Sequence, residues 1–169
     1  MDDISQRNAS GRAILLHILQ AAVSLFVNGF GVYLTILAGI GVGPWDVLAM
    51  GLARVTGIRY GNMNVMISFS VLVIDLIMRE PIGIAMFIDA IVVGKSVDFF
   101  NYIDIVPVPK TLAGALIMMF VGLTIMGYTQ CFYMRVGLGC GPRDTLVVGL
   151  ARRVRKIPIG AVSIAILSL

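Results

Sequence analysis

One stretch of this chain occurs twice. The run from Gly39 to Arg54 reads Gly-Ile-Gly-Val-Gly-Pro-Trp-Asp-Val-Leu-Ala-Met-Gly-Leu-Ala-Arg. It returns 98 positions later, from Gly137 to Arg152, with ten of its sixteen positions identical. Gly29 and Gly127 carry the same register upstream. Matching glycines mean little in a chain with 19 of them. Pro44/Pro142, Asp46/Asp144, Leu48/Leu146 and Arg54/Arg152 falling on one offset mean much more. The chain reads as an internal duplication, so any fold proposed for it must use the same device twice.

The device is a helix start. Alternating glycines (Gly41 and Gly43, Gly139 and Gly141) let the backbone turn tightly and be approached closely. Pro44 and Pro142 suit the first helical position, where no amide hydrogen is needed and φ is already helical. Asp46 and Asp144 then fall in the first turn, where a carboxylate can accept orphan N–H groups and oppose the positive helix end. The motif leads into a short apolar helix of about eleven residues, on the order of 16 Å long. That is about half the thickness of a bilayer core. Two readings of such a helix stand: a capped interfacial helix between spans, or a half-helix whose N-terminus points at a solute or ion, as in transporters built from broken helices.

The environment is set by composition. The chain is 59% hydrophobic and 13% charged, with a mean hydropathy of +0.97, and several apolar runs reach the ~20 residues that a spanning helix needs. The 169 residues form a single transmembrane domain with no room for a separate soluble one. The formal charge of +4 is not a nucleic-acid signal, because the basic residues sit at the ends of apolar segments, where they face lipid headgroups. The group Arg152, Arg153, Arg155 and Lys156 is the densest of these. Cys131 and Cys140 imply neither a disulfide framework nor a metal site, no cofactor motif is present, and the ten methionines read as packing filler.

In chain order, residues 1–12 read as a short solvated tail and about 13–38 as the first span. Within it His17, Gln20 and Asn28 share a helix face that is expected to look into the bundle, since unsatisfied polar groups in hydrocarbon are costly. The first motif comes next, then a second span at about 61–78, a tight turn at Arg79-Glu80-Pro81, and a third span at about 82–100. This third span carries Asp89, Lys95 and Asp98. Lys95 and Asp98 are spaced to pair or to reach the interface, whereas Asp89 is flanked by apolar residues and is a functional candidate by its depth. Residues 101–110, with Pro107 and Pro109, form an extended seam. A fourth span occupies about 111–134, then the second motif, then a fifth apolar segment from about Ile157 to Leu169 that is short of a crossing. The expected fold is therefore an all-α integral membrane bundle of two repeats, about 13–100 and 111–169. Each carries a half-helix after its first span; there are four full spans, and the second repeat reads as incomplete.

Placing the N-terminus in the cytoplasm puts Arg79 and the whole Arg135–Lys156 basic group inside, which satisfies the positive-inside rule. Three spans per repeat then invert the second copy relative to the first, so the two half-helices enter from opposite faces. The duplicated Gly-x-Gly-Pro-x-Asp motif with its trailing Gly-Leu-Ala-Arg resembles the YczE/YyaS/YitT-type bacterial membrane proteins. Val93-Gly94 and Asp98 resemble the Gly-then-Asp pattern that closes the corresponding span in that group. The resemblance implies a multi-pass protein of the bacterial cytoplasmic membrane and brings no established activity.

Two functions compete. In a small-solute or ion permease, Gly41, Gly43, Pro44 and Asp46, with Gly139, Gly141, Pro142, Asp144 and Asp89, line a midplane site; helix ends attract anions while the carboxylates repel them, favouring a cation, a proton-coupled solute or a zwitterion. In the alternative, the chain is a non-transporting membrane partner or regulator of another complex, or a homo-oligomer, and its glycines serve close helix packing. An enzyme is not expected: one histidine and no nucleophile–base arrangement leave acid–base chemistry without its other parts.

Overall fold

The computed structural model describes residues 2–80, 83–135 and 141–153. Among them there are six helices and no strand: α1 (Asp2–Ala38), α2 (Pro44–Thr56), α3 (Tyr60–Ile77), α4 (Ile84–Ile103), α5 (Leu112–Arg135) and α6 (Pro142–Arg153). The expected all-α architecture holds. Gly139, Cys140, the segment from Ile157 onward and the side chains of Arg152, Arg153, Arg155 and Lys156 lie outside what is described.

Each motif copy builds a short helix that begins at its proline and holds its aspartate in the first turn. At 13 and 12 residues, α2 and α6 are about 20 and 18 Å long and cannot cross a ~30 Å core. Their neighbours can. Leu16–Ala38, Tyr60–Ile77 and Leu112–Arg135 are long and apolar enough to cross a membrane. Glycines in the left-handed region end the first two elements: Gly39 at φ 67 stands just past α1, and Gly57 at φ 72 closes α2, donating its N–H to the Ala53 carbonyl at 2.9 Å.

Two expectations change here, on the tail and on the polar face of α1. Residues 1–12 are not a separate tail: α1 runs on from Asp2 for 37 residues, since no proline interrupts that stretch. Helix α4 stands where a further span was expected and its 20 residues suffice in length, but Asp89, Lys95 and Asp98 make it too charged to count with the other three. His17 and Gln20 are exposed while Asn28 is buried. The cover over α1 starts only at Ala21, which packs with Leu25 and Tyr133.

Helix α1 lies along α5 and α4, and α3 lies against α4, α6 and α2. Small residues set these crossings, as expected where no hydrophobic drive separates helix from lipid. Gly31 of α1 meets Gly122 of α5, and a Cβ on either would stand 2.9 or 2.8 Å from the other's carbonyl oxygen. Gly29 faces Ser96 of α4. Gly61 of α3 meets Gly94 of α4 with the backbones in contact. Beside these crossings, Phe26, Phe30 and Tyr33 of α1 pack on Phe100 of α4, the Phe30–Phe100 rings 4.9 Å apart.

The Gly61–Gly94 crossing also decides where the charges of α4 go. Lys95 and Asp98 do not pair with each other. Asp98 accepts the Gly61 N–H at 2.8 Å, and Lys95 donates to the Asn62 side chain at 2.6 Å. Gly61 is in the first turn of α3, so Asp98 satisfies from across the interface a donor that the helix itself leaves open.

Gly61→Ala should separate α3 from α4, because its Cβ would stand 2.5 Å from the Asp98 carboxyl; a loss of about 1–3 kcal/mol is expected. Gly51→Ala, in α2 with open space around it, should be neutral or gain up to about 1 kcal/mol. Unfolding in detergent checks both, and equal effects would refute the close crossing.

Candidate functional site

A cavity of about 460 Å³ opens among the helices. Every described helix contributes to its wall: α1 gives Asn28, α2 gives Asp46, α3 gives Asn64 and Ser68, α4 gives Asp89, α5 gives Gln130, and the start of α6 gives Arg143 and Asp144. Gly141 completes that corner. Spans fold polar side chains inward because hydrocarbon offers them no partner, and here the inward faces converge on one space.

Two hydrogen-bonded chains run round the wall. In one, the Tyr60 hydroxyl donates to Asp46 Oδ1 at 2.8 Å. The Arg143 guanidinium stands 3.7 Å from the same oxygen, donates to the Asn64 carbonyl oxygen, and lies 5.7 Å from the centre of the Trp45 ring. This ties α6 to α2 and α3. In the other, Asn28 donates to Gln130 at 3.4 Å and Gln130 donates to Asp144 at 2.7 Å, tying α6 to α5 and α1. Arg143 and Asp46 thus form an ion pair between the two motif helices.

Asp46 does not cap its own helix, contrary to the expectation for a first-turn carboxylate: α2 has no side-chain cap. The carboxylate turns to Tyr60 and Arg143, and Asp144 likewise turns to Gln130. Burial pushes the carboxyls of both Asp46 and Asp144 above the ordinary carboxylate range, which Tyr60 and Arg143 oppose at Asp46, and Arg143 and Gln130 oppose at Asp144.

Of the residues singled out in the sequence, Asp46, Asp89, Gly141 and Asp144 meet at the cavity. Pro142 is buried behind them. Gly41, Gly43 and Pro44 lie outside the wall, all three exposed, and Gly139 is not described. Sequence reasoning missed Arg143 as a site residue, reading it only as an orientation charge, and missed Tyr60, Asn64 and Gln130. One signal was available: Trp45 and Arg143 hold the same motif position in the two copies, where the copies differ most in chemistry. They meet.

If the ion pair couples α2 to α6, Arg143→Met and Asp46→Asn should each destabilise the protein. The double variant should then recover about 1 kcal/mol of the summed loss. Additivity within about 0.5 kcal/mol would show that the pair contributes nothing.

Three relatives share much of this sequence. An uncharacterised membrane protein of Bacillus subtilis (strain 168), YczE, is 32% identical over 73% of this chain and 58% of its own length. An uncharacterised protein of Haemophilus influenzae is 30% identical over 77% of this chain and 59% of its own. The uncharacterised protein YyaS of Bacillus subtilis (strain 168) is 26% identical, covering 75% and 64%. The chain thus spans about three-fifths of the length of these relatives. No solved structure matches it. Residues 15–168 match a family described as of unknown function, DUF6198, and the chain belongs to that family of membrane proteins.

Proposed function

We propose that this protein is a permease-like transporter of a small solute or ion, with its binding site in the cavity between α2 and α6. The observation that carries the reading is convergence: all six described helices wall one cavity, and the first turns of both motif helices bring a carboxylate to it. A protein that used its glycines only for packing has no need of a polar space of this size. The volume falls in the range of small-molecule sites, about 300–1,000 Å³. In this reading α4 is a fourth crossing, its charges held by Gly61, Asn62 and the cavity rather than by lipid. The N-terminus is cytoplasmic, the two repeats are inverted, and α2 and α6 enter the membrane from opposite faces. The basic group from Arg152 to Lys156 rests on anionic headgroups.

The topology is tested with single cysteines after Cys131 and Cys140 are replaced. Exposed positions Val55, Arg79, Val108 and Arg135 are labelled with a membrane-impermeant thiol reagent in intact cells and inverted vesicles. Val55 and Val108 should label from outside, Arg79 and Arg135 only from inside. Arg79 and Val108 on one side would remove α4 as a crossing; Val55 and Arg135 on one side would remove the inversion.

Transport itself is tested by counterflow in proteoliposomes against a panel of amines, amino acids and monovalent cations. At least one solute should be carried, with a loss of tenfold or more in Asp144→Asn. A panel that exchanges no faster than in protein-free liposomes would sink the reading and leave the membrane-partner alternative ahead.

A further inference from the structure

The cavity is strongly unbalanced in charge. Asp46, Asp89 and Asp144 face it from three helices, and among the described residues Arg143 is the one basic side chain on its wall. That guanidinium is already divided between Asn64, Asp46 and the Trp45 ring. Asp89 is the least provided for. It is half-buried on the cavity wall, and its carboxylate makes no hydrogen bond to any described residue. A carboxylate in that position calls for a cation.

Gly141 marks where two of these carboxylates come together. A Cβ there would stand 2.6 Å from Asp89 Oδ2 and 3.9 Å from Asp144 Oδ2. The missing side chain lets the Asp89 carboxylate lie against the Gly141 backbone, near that of Asp144. The same cavity is also lined by Val93, Leu123 and Met126, which are apolar. A bare metal ion would leave that apolar wall and most of the volume unused, and among the described residues no three acidic, histidine or cysteine side chains gather as ligands. An anion meets a surplus of negative charge. A cationic N–H head on a short apolar stem matches both walls.

A second cavity is linked to this one through Tyr60. It has a volume of about 460 Å³ and is lined by Tyr33, Arg59, Tyr60, Asp98, Asn101 and Tyr102, among others. Tyr60 belongs to this wall, yet its hydroxyl bonds Asp46 on the wall of the first. The Tyr33 hydroxyl, on another residue of the second cavity's wall, is buried without a partner among the described residues. The Tyr60–Asp46 hydrogen bond links the two walls.

We propose that the central cavity binds a small primary alkylammonium ion. Its head lies in the cavity between Asp89 and Asp144 and its stem lies against Val93, Leu123 and Met126. It is admitted from the second cavity past the Tyr60–Asp46 hydrogen bond. The proposal rests on reading the cavity as a solute site and names the class of solute.

Trp45 is the only tryptophan and touches the Arg143 network, so its emission reports on the cavity. The full chain in lipid nanodiscs is titrated with butylammonium chloride, with sodium butyrate and sodium chloride as controls at equal ionic strength. Butylammonium should give a saturable change in Trp45 emission and a matching rise in unfolding temperature; neither control should. Asp89→Asn and Gly141→Ala should each raise the midpoint at least tenfold. If either variant does not fold, Asp144→Asn must show the same shift. Tyr60→Phe, which removes the Asp46 hydrogen bond, should speed binding in stopped flow several-fold. No saturable response, an equal response to butyrate or sodium, or wild-type midpoints in the folded variants would overturn the site. An unchanged rate in Tyr60→Phe would overturn the access route. Counterflow in parallel separates this inference from the transport reading. Butylammonium binding without flux supports the site while refuting transport. Flux of another solute by a protein that ignores butylammonium supports transport while refuting the site.

Discussion

A guanidinium inside an apolar bundle, here with 22% of its side chain exposed, has to be answered largely by the protein. Arg143 is answered from three directions at once: an amide oxygen on α3, a carboxylate on α2 and the face of Trp45 on α2. Those contacts hold the starts of the two motif helices beside each other, and the cavity exists because they do. Desolvation makes such an arrangement all-or-none in its demands: a buried charge with its partners in place is tolerable, and one without them is expensive. The polar residues round the cavity depend on one another in the same way. Asn28, Gln130 and Asp144 form a second chain that ties α6 to α5 and α1.

The glycine crossings are what allow side chains from different helices to reach each other. Where Gly31 meets Gly122 and Gly61 meets Gly94, backbones touch, and neighbouring polar groups come within hydrogen-bond range across the interface. Asp98 bonding the Gly61 amide and Lys95 bonding Asn62 are direct results. Charges that would be costly on an isolated span are thereby drawn into the protein. Close packing and internal polarity are one design here, since each makes the other affordable.

Much of this was legible before any coordinates. Hydropathy located the first span, α3 and α5, and the duplicated Gly-Pro-x-Asp stretch located α2 and α6 to within a residue or two. Asp89 stood out by its depth in an apolar segment and does line the cavity. The failures have a common cause. Lys95 with Asp98, Asp46 with its own helix end, and His17 with the bundle were all assigned partners along the chain or on one helix face, where sequence spacing can be counted. The actual partners, or in His17 the lack of cover, come from other helices.

Sequence alone thus determined the environment, the number and kind of helices among the described residues, and the repeated helix start, because bilayer thickness and backbone hydrogen bonding leave few choices for an apolar chain. Tertiary structure alone decided that both motif aspartates bond side chains of other helices around a shared space. It also decided that Arg143 meets Trp45, and that Asp89 is left facing a cavity without a hydrogen-bond partner among the described residues. Hydropathy acts on each segment separately. Which polar groups satisfy one another depends on how the helices cross, and the glycines set that geometry only once two helices have met.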